Sequence, residues 1–99
     1  MKKEVLLVGG FHKTMYLAQS LLDKGYGVTV INNIYEDCMA LAQIEKLNII
    51  YGDGTKPFVL EEAEAHLMDI AIALTKKDED NLKKERFLNK NKGKSISFI

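Results

Sequence analysis

Residues 4–14, EVLLVGGFHKT, decide the fold of this 99-residue chain. Residues 5–8 are all apolar and do not alternate with polar positions, so they predict a strand that is buried on both faces of a sheet. Gly9 and Gly10 end that strand, and a helix is predicted over residues 13–24. In nucleotide-binding α/β domains, a glycine turn between a buried strand and a helix holds phosphate groups. The stretch therefore predicts an α/β fold with a ligand site at its first turn.

The rest of the chain repeats the alternation of strand and helix. Strands are predicted over residues 5–8, 27–31, 47–51, 69–74 and 95–99, and the later helices over residues 35–46, from an N-cap at Thr55 to about residue 66, and from about residue 78 to Gly93. Every connection is then a helical crossover, which favours parallel strands and right-handed crossovers. We predict one doubly wound, Rossmann-like domain over residues 1–99, with a five-stranded parallel sheet in the order 3-2-1-4-5 and helices on both faces.

Composition and spacing argue against several functional classes. The formal net charge is zero, so no overall field attracts nucleic acid or an acidic membrane surface. Cys38 is the single cysteine, which rules out an intramolecular disulfide and fits a cytoplasmic location. The first apolar run is too short for a signal peptide, and no stretch has membrane-spanning length. Neither metal-ligand spacing nor a serine with a base–acid pair is found, so no metal site and no catalytic residue are predicted.

A candidate site is expected where the carboxyl ends of the parallel strands converge. The candidate ligand-binding residues are those of the four turns that meet there: Gly9, Gly10, Phe11, His12, Lys13, Thr14, Asn32, Asn33, Asp53, Gly54, Thr55 and Thr75. His12 and Lys13 would favour a phosphate at a helix N-terminus, or they are solvated turn residues. Residues 52–55 equally suit a tight turn followed by a helix cap.

Four sequence pieces, taken together, resemble one family. They are residues 7–10 with 17–21, residues 27–32, residues 52–55 with 59–63, and residues 69–75 with 78–81. Their order and spacing are similar to those of the N-terminal nucleotide-binding domain of potassium-uptake regulators, the RCK or TrkA-N (KTN) family. The resemblance implies a cytoplasmic domain that binds NAD(H), ATP, ADP or AMP and that gates or assembles on a membrane potassium channel or transporter. It also places the loop of Asp53 and Thr55 beside the nucleotide.

Three of the four positions in the family's dinucleotide fingerprint are altered in this chain. Phe11 and Thr14 replace the second and third glycines of G-x-G-x-x-G, and Asn32 replaces the acidic residue that would hold the ribose hydroxyls. We expect the Phe11 ring to obstruct the pyrophosphate unless it swings away, and Thr14 to move the helix slightly outward. Asn32 loses a charge-assisted hydrogen bond, which is roughly twice as strong as a neutral one. The changes argue against NAD binding in the usual pose.

The sequence leads to three hypotheses. The first is a non-catalytic regulatory domain of a potassium-uptake system whose NAD(H) or adenine-nucleotide site is degenerate. The second is a domain that has lost its ligand and only contacts other proteins, and the third is a small NAD(P)-dependent oxidoreductase, for which a substrate domain and proton-transfer residues are lacking. Because the family domain continues beyond the fifth strand, we expect either a fragment or a sheet completed by a partner. A homodimer or higher homo-oligomer is predicted, paired through the edge at residues 95–99.

Overall fold

A computed structural model describes residues 2–74, together with the backbone of residues 95–98. Within these residues the strands are β1 (Glu4–Val8), β2 (Gly27–Asn32), β3 (Asn48–Tyr51), β4 (Ile70–Ala73) and β5 (Ser95–Phe98). They form one parallel sheet in the order β3-β2-β1-β4-β5, which confirms the predicted topology. The predicted fourth helix and the candidate residue Thr75 lie outside the described residues.

Three helices and one short 3-10 turn connect the first four strands. The helices are α1 (His12–Asp23), α2 (Tyr35–Leu41) and α3 (Pro57–Glu62), and the 3-10 turn spans Ala65–Leu67. The predictions carried α2 to residue 46 and α3 to residue 66, which is too far in both cases. Glu64, which follows the end of α3, has a φ of +58°, and Lys46, the last residue of the predicted second helix, has a φ of +69° although α2 itself already ends at Leu41. A left-handed residue cannot continue a right-handed helix.

The early helix ends change which side chains face the core. Helical spacing over the longer predicted helices would place Ala42 and Leu67 on their inner faces, but both side chains are exposed. The Thr55 cap is also wrong, because Lys56 is the N-cap residue of α3 and makes no side-chain capping hydrogen bond. Pro57 stands in the first turn of α3, where its missing N–H costs little.

Strand β1 lies at the centre of the sheet and is buried on both faces. Leu6 and Val8 contribute to the apolar cluster beneath α3, while Val5 and Leu7 contribute to the cluster beneath α1 and α2. This alternation follows from the two-residue period of a strand. Because both faces of β1 are covered, the turns at the ends of the strands are where a ligand is expected to bind.

Candidate functional site

The turn after β1 depends on the absence of side chains at its two glycines. Gly9 has a φ of +81° and Gly10 a φ of +74°, a region that residues with a Cβ rarely adopt. A Cβ added to Gly10 would lie 2.6 Å from the Thr14 Oγ1 and 2.8 Å from the Leu74 carbonyl oxygen. Gly10 is therefore required both by its backbone conformation and by its close approach to the end of β4.

Thr14 replaces the third fingerprint glycine and takes part in the same turn. Its side chain is fully buried, and its hydroxyl donates a hydrogen bond of 2.6 Å to the Gly9 carbonyl oxygen. Thr14 thus stabilises the glycine turn through a side-chain hydrogen bond that a glycine could not make. The predicted outward displacement of α1 remains a prediction.

Helix α1 begins without a capping side chain. Phe11 is its N-cap residue, and no side-chain hydrogen bond caps the helix there. The N–H groups of a first helical turn have no partner within the helix, so they present partial positive charge. His12 and Lys13, on this first turn, both have exposed side chains. The helix start therefore combines unpaired backbone donors with two basic side chains.

The Phe11 ring packs inward. The residue is half-buried and lies against the apolar cluster beneath α1 and α2. Its ring also meets the His12 ring edge-on, with 4.9 Å between the ring centroids. Whether the ring obstructs a pyrophosphate remains a prediction.

Asn32, at the end of β2, joins three turns. Its Nδ2 donates to the Gly10 carbonyl oxygen at 2.9 Å, and its Oδ1 accepts from the Ile34 N–H at 2.7 Å. Its main-chain carbonyl oxygen accepts from the Gly52 N–H at 2.9 Å and from the Cys38 Sγ at 3.4 Å. The residue is only 3% exposed. Its side chain therefore serves the protein's own backbone at the position where a ribose anchor was predicted.

The loop after β3 is built around Asp53. The Asp53 Oδ1 accepts hydrogen bonds from the Thr55 N–H at 2.8 Å and from the Thr55 hydroxyl at 2.7 Å. This local arrangement orders the turn and explains why the Thr55 hydroxyl does not cap α3. Asp53 and Asn33 are exposed, Thr55 is half-buried and Gly54 is buried.

Cys38 is a core residue, as its position on α2 predicts. Burial raises the pKa of its thiol above the ordinary value of 9.0, and the neighbouring Asp37 carboxylate raises this pKa further. In the part of the chain that the structure describes, no group of three His, Cys, Asp or Glu side chains could hold a metal ion. Among the same residues no helix combines the length and the apolar character needed to cross a bilayer.

Sequence reasoning missed an aromatic pair at this edge. Tyr35 begins α2 and Tyr51 ends β3, and their rings meet edge-on with centroids 5.7 Å apart. Both side chains are largely exposed. The sequence does contain a signal for this pair. Once β2 and β3 are recognised as parallel neighbours, Tyr51 lies in register with Asn32, only three residues before Tyr35. Ile34 and Leu74, whose backbone atoms complete the turns, carry no such signal.

Comparison with known proteins identifies the family. Residues 5–97 match the TrkA-N domain. The chain belongs to the TrkA-N family. Among curated relatives of this TrkA-N chain, a Trk system potassium uptake protein TrkA homolog of Methanothermobacter thermautotrophicus is 37% identical over 79 residues, which cover 79% of the chain and 36% of the relative. A TrkA homolog 1 of Methanosarcina mazei is 34% identical over 84 residues, covering 82% of the chain and 20% of the relative.

Solved structures show the same fold. A GsuK channel bound to NAD superimposes with a TM-score of 0.84 at 20% identity, over 99% of this TrkA-N chain and 18% of the channel chain. The C-terminal domain of Kef from Shewanella denitrificans, in an AMP-bound form, gives a TM-score of 0.77 at 16% identity, over 97% of the chain and 57% of the other. At these identities the likeness shows the fold alone. The TrkA-N chain spans about a third or less of the curated relatives it matches.

Proposed function

We propose that this TrkA-N domain is a non-catalytic regulatory domain of a potassium-uptake or channel system, and that it binds an adenine nucleotide weakly or in an altered pose. The match to the TrkA-N family over residues 5–97 carries the proposal. The names of the curated relatives support the potassium system. The similar structures of a GsuK channel bound to NAD and of a Kef C-terminal domain in an AMP-bound form support a nucleotide as the ligand class.

The glycine turn supports a phosphate as the group that is held. The uncapped start of α1 and the exposed basic side chains of His12 and Lys13 would attract a negatively charged group at the turn. Asp53 and Asn33 line neighbouring turns as exposed polar residues. In this proposal the nucleotide binds along the strand ends, with its phosphates at the start of α1. The assignment of Thr75 to the site stays a prediction from the sequence.

Isothermal titration calorimetry with NADH, ATP, ADP and AMP tests the nucleotide half of the proposal. We expect at least one of them to bind, and the Lys13→Ala variant to weaken binding about fivefold to tenfold because one phosphate-facing cation is lost. Lys24→Ala, which removes an exposed lysine at the opposite end of α1, serves as the matched control. If none of the four nucleotides binds, the nucleotide half is wrong.

A second candidate function is a protein-contact domain without a ligand. The observation that favours it is Asn32, whose side chain is already occupied by the Gly10 carbonyl and the Ile34 N–H. Denaturing the purified protein and analysing the supernatant by mass spectrometry separates the candidates. A stoichiometric nucleotide would eliminate the ligand-free candidate.

The proposed partners are a second copy of the chain and a membrane potassium transporter or channel subunit on the cytoplasmic side. Copurification of the domain with such a subunit, followed by a measurement of potassium flux with and without nucleotide, tests this part. A flux that is independent of the domain in both conditions would contradict the regulatory role.

A further inference from the structure

We infer that Asn32 is a positioning residue that latches the glycine turn to its neighbouring turns, and that the site consequently recognises a nucleotide through its phosphates and not through its ribose hydroxyls. The second half of the inference rests on the proposed function. It deepens that function, because it names the part of the ligand that determines affinity.

The hydrogen bonds of Asn32 carry the first half. The amide Nδ2 donates to the Gly10 carbonyl oxygen and the Oδ1 accepts from the Ile34 N–H, so one side chain bridges two turns. The main-chain carbonyl oxygen also accepts from the Gly52 N–H, which ties in the third turn. Each of these bonds runs between polar groups of the protein itself. Their joint effect is to fix the turn conformation before any ligand arrives.

Burial carries the second half. Asn32 is 3% exposed, so a ribose hydroxyl could reach its amide only if one of the neighbouring turns moved aside. Such a movement would break the bond to the Gly10 carbonyl oxygen or to the Ile34 N–H, and part of the latch would be lost. A ligand hydroxyl that gains one bond while another is lost contributes little net affinity.

The amide is required for the latch, and a carboxylate would not replace it. An ionised aspartate has acceptors only, so it could still bind the Ile34 N–H but could not donate to the Gly10 carbonyl oxygen. At this site the acidic residue of the usual fingerprint would place two acceptors against each other. An asparagine in place of the acidic fingerprint residue therefore suits the hydrogen bonds of this turn. The positively charged start of α1 remains available to phosphate.

Hydrogen exchange of the full chain, followed by NMR, tests the latch without a ligand. In Asn32→Ala we expect the exchange of the Ile34 amide to accelerate about tenfold, because it loses its acceptor. Asn33→Ala is the matched control, since Asn33 is the next residue and is exposed; it should leave the Ile34 amide unchanged. Equal exchange rates in the wild type and Asn32→Ala would overturn the latch.

Titration with ATP and 2′,3′-dideoxy-ATP tests which part of the nucleotide is recognised. We expect the two affinities of the wild-type protein to agree within about twofold, and Asn32→Ala to weaken both by the same factor because the turn loosens. A purely structural role of Asn32 does not by itself predict that ATP and 2′,3′-dideoxy-ATP bind with equal affinity. A preference for ATP of about tenfold or more that Asn32→Ala abolishes would show a ribose anchor and overturn the inference.

The two experiments separate the possible failures. If neither nucleotide binds the wild-type protein, the proposed function is wrong and phosphate recognition fails with it, whereas the exchange of the Ile34 amide still decides the latch. If both nucleotides bind equally but the amide exchange is unaffected by Asn32→Ala, the latch is wrong.

Discussion

Gly10 is the residue on which the candidate site depends most directly. In Gly10→Ala, the alanine backbone must keep a φ of +74°. Its methyl group would also clash with the Thr14 Oγ1 and the Leu74 carbonyl oxygen. We expect a loss of about 3 kcal/mol in the free energy of unfolding, from backbone strain and crowding together. Gly25→Ala is the matched control, because Gly25 has a φ of +90° but nothing within 4 Å of the added Cβ.

Urea denaturation of these two alanine variants measures how much of the loss in the free energy of unfolding comes from steric crowding at Gly10. Strain alone should cost Gly25→Ala about 1 kcal/mol. Equal losses in the free energy of unfolding would show that Leu74 and Thr14 can shift at no cost. The close approach at the glycine turn would then not constrain the site.

Cys38 gives a prediction on pH. The pKa of its thiol is raised in the folded protein, so the folded state keeps the proton at a pH where the unfolded chain has lost it. Stability is therefore unaffected well below the ordinary pKa of 9.0 and falls as the pH rises through and above it. Unfolding midpoints in urea between pH 7 and pH 10 check this, with Cys38→Ala showing a shallower decline. A steeper decline in Cys38→Ala would contradict the prediction.

The residues of the site show how far sequence reasoning reaches. The glycine turn was predictable because glycine pairs after a buried apolar run have few other uses in an α/β chain. The role of Asn32 was not, because its bonds join Gly10, Ile34 and Gly52, which meet only after the strands have paired. An asparagine and an aspartate differ by one donor group, and whether that donor has a target is decided by the tertiary structure.

At the scale of elements, the five strands and the first three helices were predicted, but the ends of α2 and α3 were not. Apolar runs and helical spacing mark an element over its whole length, which is why the order β3-β2-β1-β4-β5 followed. Helix α3 ends before Glu64, which takes a φ of +58°. Glutamate is a good helix former, so the residue type gives no indication of a left-handed conformation.

The left-handed conformation of Glu64 yields a testable consequence. We expect Glu64→Gly to raise the free energy of unfolding by up to about 1 kcal/mol, because glycine adopts this conformation without the steric cost of a Cβ. Glu61→Gly is the matched control, since Glu61 is also exposed but lies within α3, where glycine costs about 1 kcal/mol. Chemical denaturation of both variants measures the difference. A loss in Glu64→Gly equal to that in Glu61→Gly would refute the prediction.

At the scale of the whole molecule, the exposed apolar surface supports self-association. The described residues include several large apolar side chains that are at least half exposed: Tyr16, Ile34, Tyr35, Met39, Tyr51, Phe58 and Leu67. Strands β3 and β5 form the two outer edges of the sheet. A domain of about 100 residues buries a modest core, so pairing with a second copy would add stability.

We therefore expect the chain to form a dimer whose thermal midpoint rises with protein concentration, since dissociation and unfolding are then coupled. Sedimentation velocity across a hundredfold dilution series, with calorimetry on the same samples, measures both quantities. Our prediction places the contact at the β5 edge, so Tyr51→Lys on the opposite edge should leave the dimer intact. If Tyr51→Lys abolishes association, the chain pairs through β3 and the aromatic pair of Tyr35 and Tyr51. A monomer at every concentration would refute the dimer altogether.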